Sequence, residues 1–139
     1  MILVDTTPLV ALADERDPHH ARARRDLDRL ARNGLVTCTV VLTEASYHLS
    51  SAYGRRRLID VLTDLSVGPV TDESDSAVWE DLFQWLVRYS EHSPDLADGM
   101  LAVLSGRHRR MKVWTYDSEF RNIWRRPDGT RIPMAVARE

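Results

Sequence analysis

Five short runs of apolar, β-favouring residues occur along the chain, and each is separated from the next by residues with helical patterning. Strands that alternate with helices in this way are joined by right-handed crossovers, which place them parallel in one sheet with helices on both faces. The pattern therefore predicts an α/β fold, a three-layer α/β/α sandwich with a mainly parallel central sheet. The predicted strands cover residues 2–4, 35–41, 67–70, 112–116 and 132–136.

The length of 139 residues, without internal repeats or linker-like segments, predicts a single domain over residues 1–139. A formal net charge of −2 favours neither a strongly basic nucleic-acid binder nor an acidic tail. No apolar run approaches the roughly 18 residues of a membrane span, and the N-terminus lacks the pattern of a signal peptide. We therefore expect a cytoplasmic protein with no membrane contact, in which the single cysteine, Cys38, is a buried thiol.

Three local patterns predict details of the helices. Thr7 precedes a proline and is expected to be the N-cap of the first helix, and Thr43 is expected to cap a helix that begins at Glu44. Trp124 is expected to pack into the core, with stacking on an unpaired base as the alternative. The fifth helix carries an apolar stripe with helical spacing, which predicts a face turned to the core; its residues are Trp79, Leu82, Phe83, Leu86 and Val87.

Four carboxylates fall where predicted strands end or helices begin. Asp5 and Asp117 each follow a strand directly, Glu44 falls in the first turn of the helix after the second strand, and Asp98 falls in the first turns of a later helix. Because ligand sites of parallel α/β sheets form at the carboxyl edge, we expect these acids to share one rim. Each acid alone has the simpler interpretation of a solvated or helix-capping residue.

Carboxylates gathered on one rim repel one another and raise each other's pKa unless a cation neutralises them. A donor set made only of carboxylate oxygens favours Mg²⁺ or Mn²⁺ over zinc or copper. Such an ion keeps several waters, binds phosphate oxygens and activates a water for in-line attack. The pattern therefore predicts hydrolysis of phosphodiester bonds with the help of one or two metal ions.

Four segments carry a likeness to a known family over nearly the whole chain. They are Asp-Thr-Thr-Pro-Leu-Val at residues 5–10, Thr-Glu at 43–44, Asp-Leu-Ala-Asp at 95–98 with Leu-Ala at 101–102, and Thr-Tyr-Asp-Ser-Glu-Phe at 115–120. Their order and spacing resemble those of the PIN-domain ribonucleases, and among these the compact VapC-type toxins of bacterial toxin–antitoxin pairs. The resemblance implies a Mg²⁺-dependent endoribonuclease that leaves a 5′-phosphate and a 3′-hydroxyl.

The resemblance also implies roles for individual residues. The acidic quartet of the family matches Asp5, Glu44, Asp98 and Asp117, which are implied as catalytic residues and metal ligands. The secondary pocket residues implied in the same way are Thr7, Asp95, Thr115 and Glu119. One position departs from the family pattern: Gly99 follows Asp98 where family helices usually carry alanine, and a helical glycine costs about 1 kcal/mol relative to alanine.

Basic residues are unevenly distributed along the chain. Residues 99–139 carry nine basic against four acidic residues, whereas residues 60–98 carry one against ten. The near-neutral total therefore does not exclude RNA binding. The candidate contacts to RNA phosphates are Arg55, Arg56, Arg107, Arg109, Arg110, Arg121 and Arg125. A further group, Arg22, Arg24, Arg25 and Arg29, shares a predicted helix with Asp26 and Asp28, and ion pairing on a solvated surface is its better interpretation.

The resemblance further implies a homodimer and a small antitoxin protein that neutralises the enzyme. Two alternatives remain open, an RNA-processing PIN nuclease without an antitoxin and a catalytically inactive PIN-like interaction scaffold. A phosphoacceptor receiver domain fits poorly, because Asp5 has no acidic neighbour and the only lysine, Lys112, precedes a strand. The five histidines share no predicted rim, so metal-free cleavage by a histidine pair is not expected.

Overall fold

A computed structural model describes residues 1–138, and its four strands form one parallel sheet in the order β3-β2-β1-β4. Ile2 of β1 pairs with Leu35 of β2 on one side and with Lys112 of β4 on the other. β1 is therefore a central strand, and its three residues are all buried, as expected for an inner strand covered on both faces. The strands are β1 Ile2–Val4, β2 Leu35–Thr37, β3 Gly68–Pro69 and β4 Lys112–Trp114.

The helices between the strands confirm the predicted three-layer α/β/α architecture. They are α1 Thr6–Ala13, α2 His20–Leu30, α3 Thr39–His48, α4 Ala52–Asp64, α5 Ser76–Arg88, α6 Leu96–Arg107 and α7 Glu119–Asn122, with short 3-10 turns at Ala31–Asn33 and Ser90–His92. Helix α1 packs against α2, α3 and α4, whereas α6 packs against α5 and also contacts α3. No helix within residues 1–138 is long and apolar enough to cross a membrane.

The predicted fifth strand, residues 132–136, pairs with the sheet at a single position. Val113 of β4 forms a parallel bridge with Met134, in which the Val113 amide donates to the Pro133 carbonyl at 2.8 Å and the Ala135 amide donates to the Val113 carbonyl at 2.8 Å. Proline has no amide hydrogen to give to a neighbouring strand. The segment therefore lies beside β4 without forming an extended ladder.

The second strand is shorter than predicted, and the helix that follows it begins earlier. Helix α3 starts at Thr39, so the prediction of a helix that begins at Glu44 is wrong, and Glu44 lies in the second turn. The carboxylate of Glu73 accepts hydrogen bonds from the Thr39 amide at 3.0 Å and from the Thr39 hydroxyl at 2.7 Å. The Thr43 hydroxyl donates to the Thr39 carbonyl at 2.9 Å instead of capping. Glu73, a residue distant in sequence, thus stabilises the start of α3. The β-branched residues at this start favour a strand, so the sequence pattern does not indicate where the helix begins.

The apolar stripe predicted for α5 is wrong in part. Trp79, Phe83 and Val87 are 50%, 56% and 75% exposed, whereas the neighbouring face formed by Val78, Leu82 and Trp85 is buried. Helix α5 carries apolar residues on two adjacent faces, and helical periodicity alone does not determine which face meets α6. Trp124 and Cys38 are buried, as predicted.

Candidate active site

Asp5 occupies the centre of the carboxyl edge of the sheet and is 5% exposed. It directly follows the central strand β1 and is itself the N-cap of α1, which corrects the expectation that Thr7 is the cap. One carboxylate oxygen, Oδ1, accepts the Thr6 amide at 2.7 Å, and the other, Oδ2, accepts the Thr115 hydroxyl at 2.6 Å. These two hydrogen bonds fix the orientation of the carboxylate.

Thr115 joins the ends of β1 and β4 through its hydroxyl group. The Thr115 hydroxyl has one proton, which it donates to Asp5, so its oxygen accepts the other hydrogen bonds in reach. These come from the Asp117 amide at 3.1 Å and from the Thr7 hydroxyl, 3.3 Å away. The Thr7 oxygen in turn accepts the Tyr116 amide at 2.9 Å. Two threonines of the predicted secondary pocket therefore hold the backbone that carries Asp117.

Asp98 lies in the first turn of α6 and forms a capping box with the N-cap Asp95. The Asp98 Oδ2 atom accepts the Asp95 amide at 3.0 Å. Gly99 permits close packing at this point, because a Cβ atom on Gly99 would lie 2.8 Å from the Leu82 side chain and 2.9 Å from the Trp85 ring. Glycine in place of the alanine usual in the family thus leaves room for the Trp85 ring of the neighbouring helix α5.

Glu44 and Asp117 complete the predicted quartet, each of them partly exposed. The Glu44 carboxylate lies 3.9 Å from Nε2 of His48, one turn further along α3. The Asp117 carboxylate accepts the Glu119 amide at 2.9 Å. Glu119 thus contacts the site through its backbone.

The four predicted acids lie close enough for their negative charges to influence one another. Burial raises the pKa of Asp5 to about 6, and the negative charges of Glu44 and Asp117 add to this rise. The hydrogen bonds from Thr115 and Thr6 oppose it.

Asp98 behaves in the same way. Burial raises its pKa to about 7, and the charges of Asp5, Asp117 and Asp95 raise it further, whereas the hydrogen bond from the Asp95 amide lowers it. Two carboxylates with raised pKa values and shared like-charge neighbours form a site that a cation would stabilise.

The chemistry of this donor set fits a hard divalent cation, because all four side chains offer carboxylate oxygens. Within residues 1–138, no group of three or more Asp, Glu, His or Cys side chains is arranged to hold a metal ion. The four acids are therefore near one another without forming a preassembled metal site in the described part of the chain.

The arginines predicted to contact RNA do not form one surface. Arg109 and Arg110 precede β4 and so lie toward the amino edge of the sheet, opposite the acids. Arg107 precedes them and pairs with Asp81 at 3.6 Å. Arg125 donates to the carbonyl of Trp124 at 2.9 Å, and Arg121 donates to a backbone carbonyl near the C-terminus. The two remaining candidates, Arg55 and Arg56, are exposed on α4.

A buried polar network beside Asp117 was missed at the level of sequence. Asp26 of α2 is buried and accepts the Tyr116 hydroxyl at 2.9 Å, and the Trp114 indole donates to the same tyrosine oxygen at 3.1 Å. The predicted ion pair between Arg22 and Asp26 forms, with 3.7 Å between the Arg22 Nε and the Asp26 carboxylate, but Arg22 is largely buried and not on a solvated surface. The charge pattern of α2 gave no signal for the hydrogen bond between Asp26 and Tyr116, which depends on how α2 packs against the end of β4.

Comparisons with known proteins agree with the fold. Residues 2–125 match the PIN domain family. The chain is 25% identical over 134 residues to Ribonuclease VapC26 of Mycobacterium tuberculosis (strain ATCC 25618 / H37Rv), an alignment that covers 96% of this chain and 98% of that protein. The crystal structure of Mycobacterium tuberculosis VapC20, described as a Sarcin-Ricin loop cleaving toxin, has a TM-score of 0.67 and 24% identity, and the match covers 88% of this chain and 94% of that chain. The last similarity supports the fold.

Proposed function

This chain belongs to the PIN domain family, and from that premise we propose that it is a Mg²⁺-dependent endoribonuclease, the toxin of a type II toxin–antitoxin pair. The observation that supports this function best is the set of four acids at the carboxyl edge, two of which have pKa values raised by burial and by their neighbours. The ribonuclease name of the relative VapC26 agrees with a nuclease.

We assign Asp5, Glu44, Asp98 and Asp117 as the residues that hold the ion. When bound, Mg²⁺ supplies a Lewis acid for the scissile phosphate and lowers the pKa of a bound water. The protein's own contribution is orientation: the Thr6 amide and the Thr115 hydroxyl fix the Asp5 carboxylate, and each of its oxygens retains a lone pair for a further partner. The capping box fixes Asp98 in the same way.

An RNA cleavage assay tests this function. We expect the purified protein to cleave RNA when Mg²⁺ or Mn²⁺ is present, and we expect cleavage to stop when EDTA is added. Asp5→Asn and Asp98→Asn should each lower the cleavage rate by about a hundredfold or more, because each removes a charge from the metal site. Asp64→Asn, at the exposed end of α4, is the matched control and should cleave like the parent. Cleavage in EDTA, or full activity in both site variants, would contradict the mechanism.

We further propose a protein partner, a small antitoxin, and a homodimer, both in the cytoplasm. The supporting observation is the exposed apolar surface of α5, which includes Trp79 and Phe83 and lies next to the exposed Leu96 at the start of α6. Exposed apolar patches of this kind mark protein interfaces more often than free surface.

The partner proposal is tested by co-expression with the adjacent small reading frame, followed by a pull-down and size-exclusion chromatography. We expect growth arrest when this chain is expressed alone, relief by the partner, and a dimeric elution volume. A chain that neither arrests growth nor binds a partner would favour an RNA-processing nuclease, and a chain that also lacks cleavage would favour a scaffold.

A further inference from the structure

A cleft of about 260 Å³ opens beside Asp117 and is lined by three arginines from separate parts of the chain. Arg22 comes from α2, Arg121 from α7, and Arg138 from the C-terminal segment. Asp117, Ser118 and Asn122 also line this arginine cleft. Asp117 is thus common to the cleft and to the acidic quartet, so a ligand of the cleft would lie directly beside the proposed catalytic site.

Arg22 is held in place by groups behind the cleft. Its side chain is 15% exposed, its Nε lies 3.7 Å from the Asp26 carboxylate, and its Nη2 donates to the Ala137 carbonyl at 2.8 Å. The guanidinium also lies 4.5 Å from the centre of the Tyr116 ring. An arginine restrained in this way loses little side-chain entropy when it binds a ligand.

Arg121 and Arg138 bring further positive charge to the same space. Arg121 donates to the Val136 carbonyl, and Arg138 donates to the side-chain oxygen of Asn122 at 3.1 Å. Burial and the positive charges of Arg138 and Arg22 lower the pKa of Arg121. Because Asp26 lies behind the cleft and pairs with Arg22, the positive charge that favours an anion comes from Arg121 and Arg138, against the single carboxylate of Asp117 on the lining. Arginine forks match the geometry of phosphate oxygens.

We propose that the arginine cleft binds a backbone phosphate of the RNA next to the scissile one, and so sets the register of the strand on the acids. This inference rests on the proposed ribonuclease function. It assigns RNA contacts to Arg22 and Arg138, which the sequence did not suggest, and gives Arg121 a specific role. Single-stranded RNA is the favoured ligand because a flexible strand can place consecutive phosphates in the cleft and over the acids.

Binding of a short fluorescent RNA in EDTA, measured by anisotropy at several salt concentrations, tests the cleft without relying on catalysis. We expect Arg121→Gln/Arg138→Gln to weaken binding by about tenfold and to lower the salt dependence by about 0.7 for each lost contact. Arg24→Gln/Arg32→Gln is the control, because it makes the same change of two charges on exposed residues that do not line the cleft. If the loss of the Arg121 hydrogen bond destabilises the fold, Arg138→Gln alone replaces the double variant, because Arg138 is exposed, and Arg32→Gln alone is then its control.

A single uncharged methylphosphonate, moved along the same RNA, identifies the phosphate. Placed next to the cleaved bond, the methylphosphonate should weaken RNA binding to the parent by about as much as the two arginine substitutions do. The same RNA should bind the double variant almost as well as unmodified RNA does, because the contact is already lost. Equal RNA affinity and salt dependence in the cleft double variant and in Arg24→Gln/Arg32→Gln would overturn the inference. So would a cleft double variant that binds RNA like the parent and loses only its binding to the protein partner. If the parent does not cleave RNA in Mg²⁺ and the arginine effects in EDTA are still seen, the proposed function fails and the phosphate site stands.

Discussion

Thr115 shows how much of the site depends on one buried hydroxyl. It donates to the Asp5 carboxylate and accepts the Asp117 amide, so it joins two of the four acids across neighbouring strands. Both contacts are made at the carboxyl edge, where the backbone leaves the sheet and its amides no longer have partners in a ladder. The threonine therefore supports both the fold and the orientation of the acids.

We predict that Thr115→Val destabilises the protein by about 1–3 kcal/mol, because it leaves a buried amide and a buried carboxylate without their partner. The substitution should also raise the pKa of Asp5 further, since the lost hydrogen bond stabilises the charged form. Urea unfolding measures the loss of stability, and the rate of RNA cleavage measures the effect on the proposed catalytic site. Thr115→Ser keeps the hydroxyl and should restore most of both, so equal losses in the two variants would contradict the assigned role.

Cys38 is predicted to be unreactive in the native protein. Burial raises the pKa of its thiol to about 12, and the negative charges of Glu73 and Asp5 add to this effect. The thiolate is the reactive form, so a disulfide reagent at about pH 8 should modify the folded protein very slowly and the unfolded protein at once. Rapid modification of the folded protein, with unchanged circular dichroism, would show that the thiol is accessible.

At the scale of elements, the contact between α5 and α6 places Asp98. Gly99 lets the Trp85 ring approach the first turn of α6, and the same ring donates its indole hydrogen to the Arg125 carbonyl at 2.7 Å. Trp85 also packs 5.2 Å from the Trp124 ring, centroid to centroid. The helix start that carries a proposed metal ligand is therefore fixed by aromatic packing.

We predict opposite effects for two glycine-to-alanine substitutions in α6. Gly99→Ala should destabilise the protein by about 1–3 kcal/mol despite its better helix propensity, because the new Cβ would lie 2.9 Å from a rigid ring. Gly106→Ala, whose nearest new contact is 3.4 Å, should be neutral or stabilising by up to about 1 kcal/mol. Thermal unfolding measures both; a stabilised Gly99→Ala variant would show that the helices separate easily.

Local sequence signals predicted the elements and failed where a distant residue decides the outcome. The alternation of strands and helices gave the parallel sheet, and the end of β1 gave the position of Asp5. Strand β4 ends at Trp114, two residues earlier than predicted, so Asp117 lies in the segment that follows it. The start of α3 depends on Glu73, a residue 34 positions away, and no local pattern contains that contact. Which face of α5 is buried likewise depends on contacts with α6, where Gly99 leaves room for Leu82 and Trp85. The acids were predictable because chain direction alone brings strand ends to one edge.

For the whole molecule, the formal charge of −2 is the sum of opposed local charges. The acidic quartet lies beside the arginine cleft, and Asp117 belongs to both. Under the proposed function, a metal ion at the acids and the arginines next to them would bind consecutive phosphates of one RNA strand. The net charge of −2 is therefore no argument against RNA binding.

The acids also make the stability of the metal-free protein depend on pH. The folded-state pKa values of about 6 for Asp5 and about 7 for Asp98 lie above their ordinary value of 3.8. The folded protein therefore keeps protons that the unfolded chain has released, so this contribution to stability is complete below about pH 4 and is lost as the pH rises through 6 and 7. In EDTA, we predict that the free energy of unfolding falls across this range.

Asp5→Asn and Asp98→Asn isolate these contributions, because an amide does not titrate. The free energy of unfolding of each variant should fall less steeply than that of the parent between pH 4 and 7. Subtracting the variant's profile from the parent's removes the contributions of all other groups, including Asp14, whose pKa is lowered by hydrogen bonds from Arg16. Mg²⁺ should stabilise the parent more at pH 7 than at pH 4, because protons compete with the ion for the same oxygens. Parallel pH profiles for the parent and both variants would contradict the raised pKa values of these two acids.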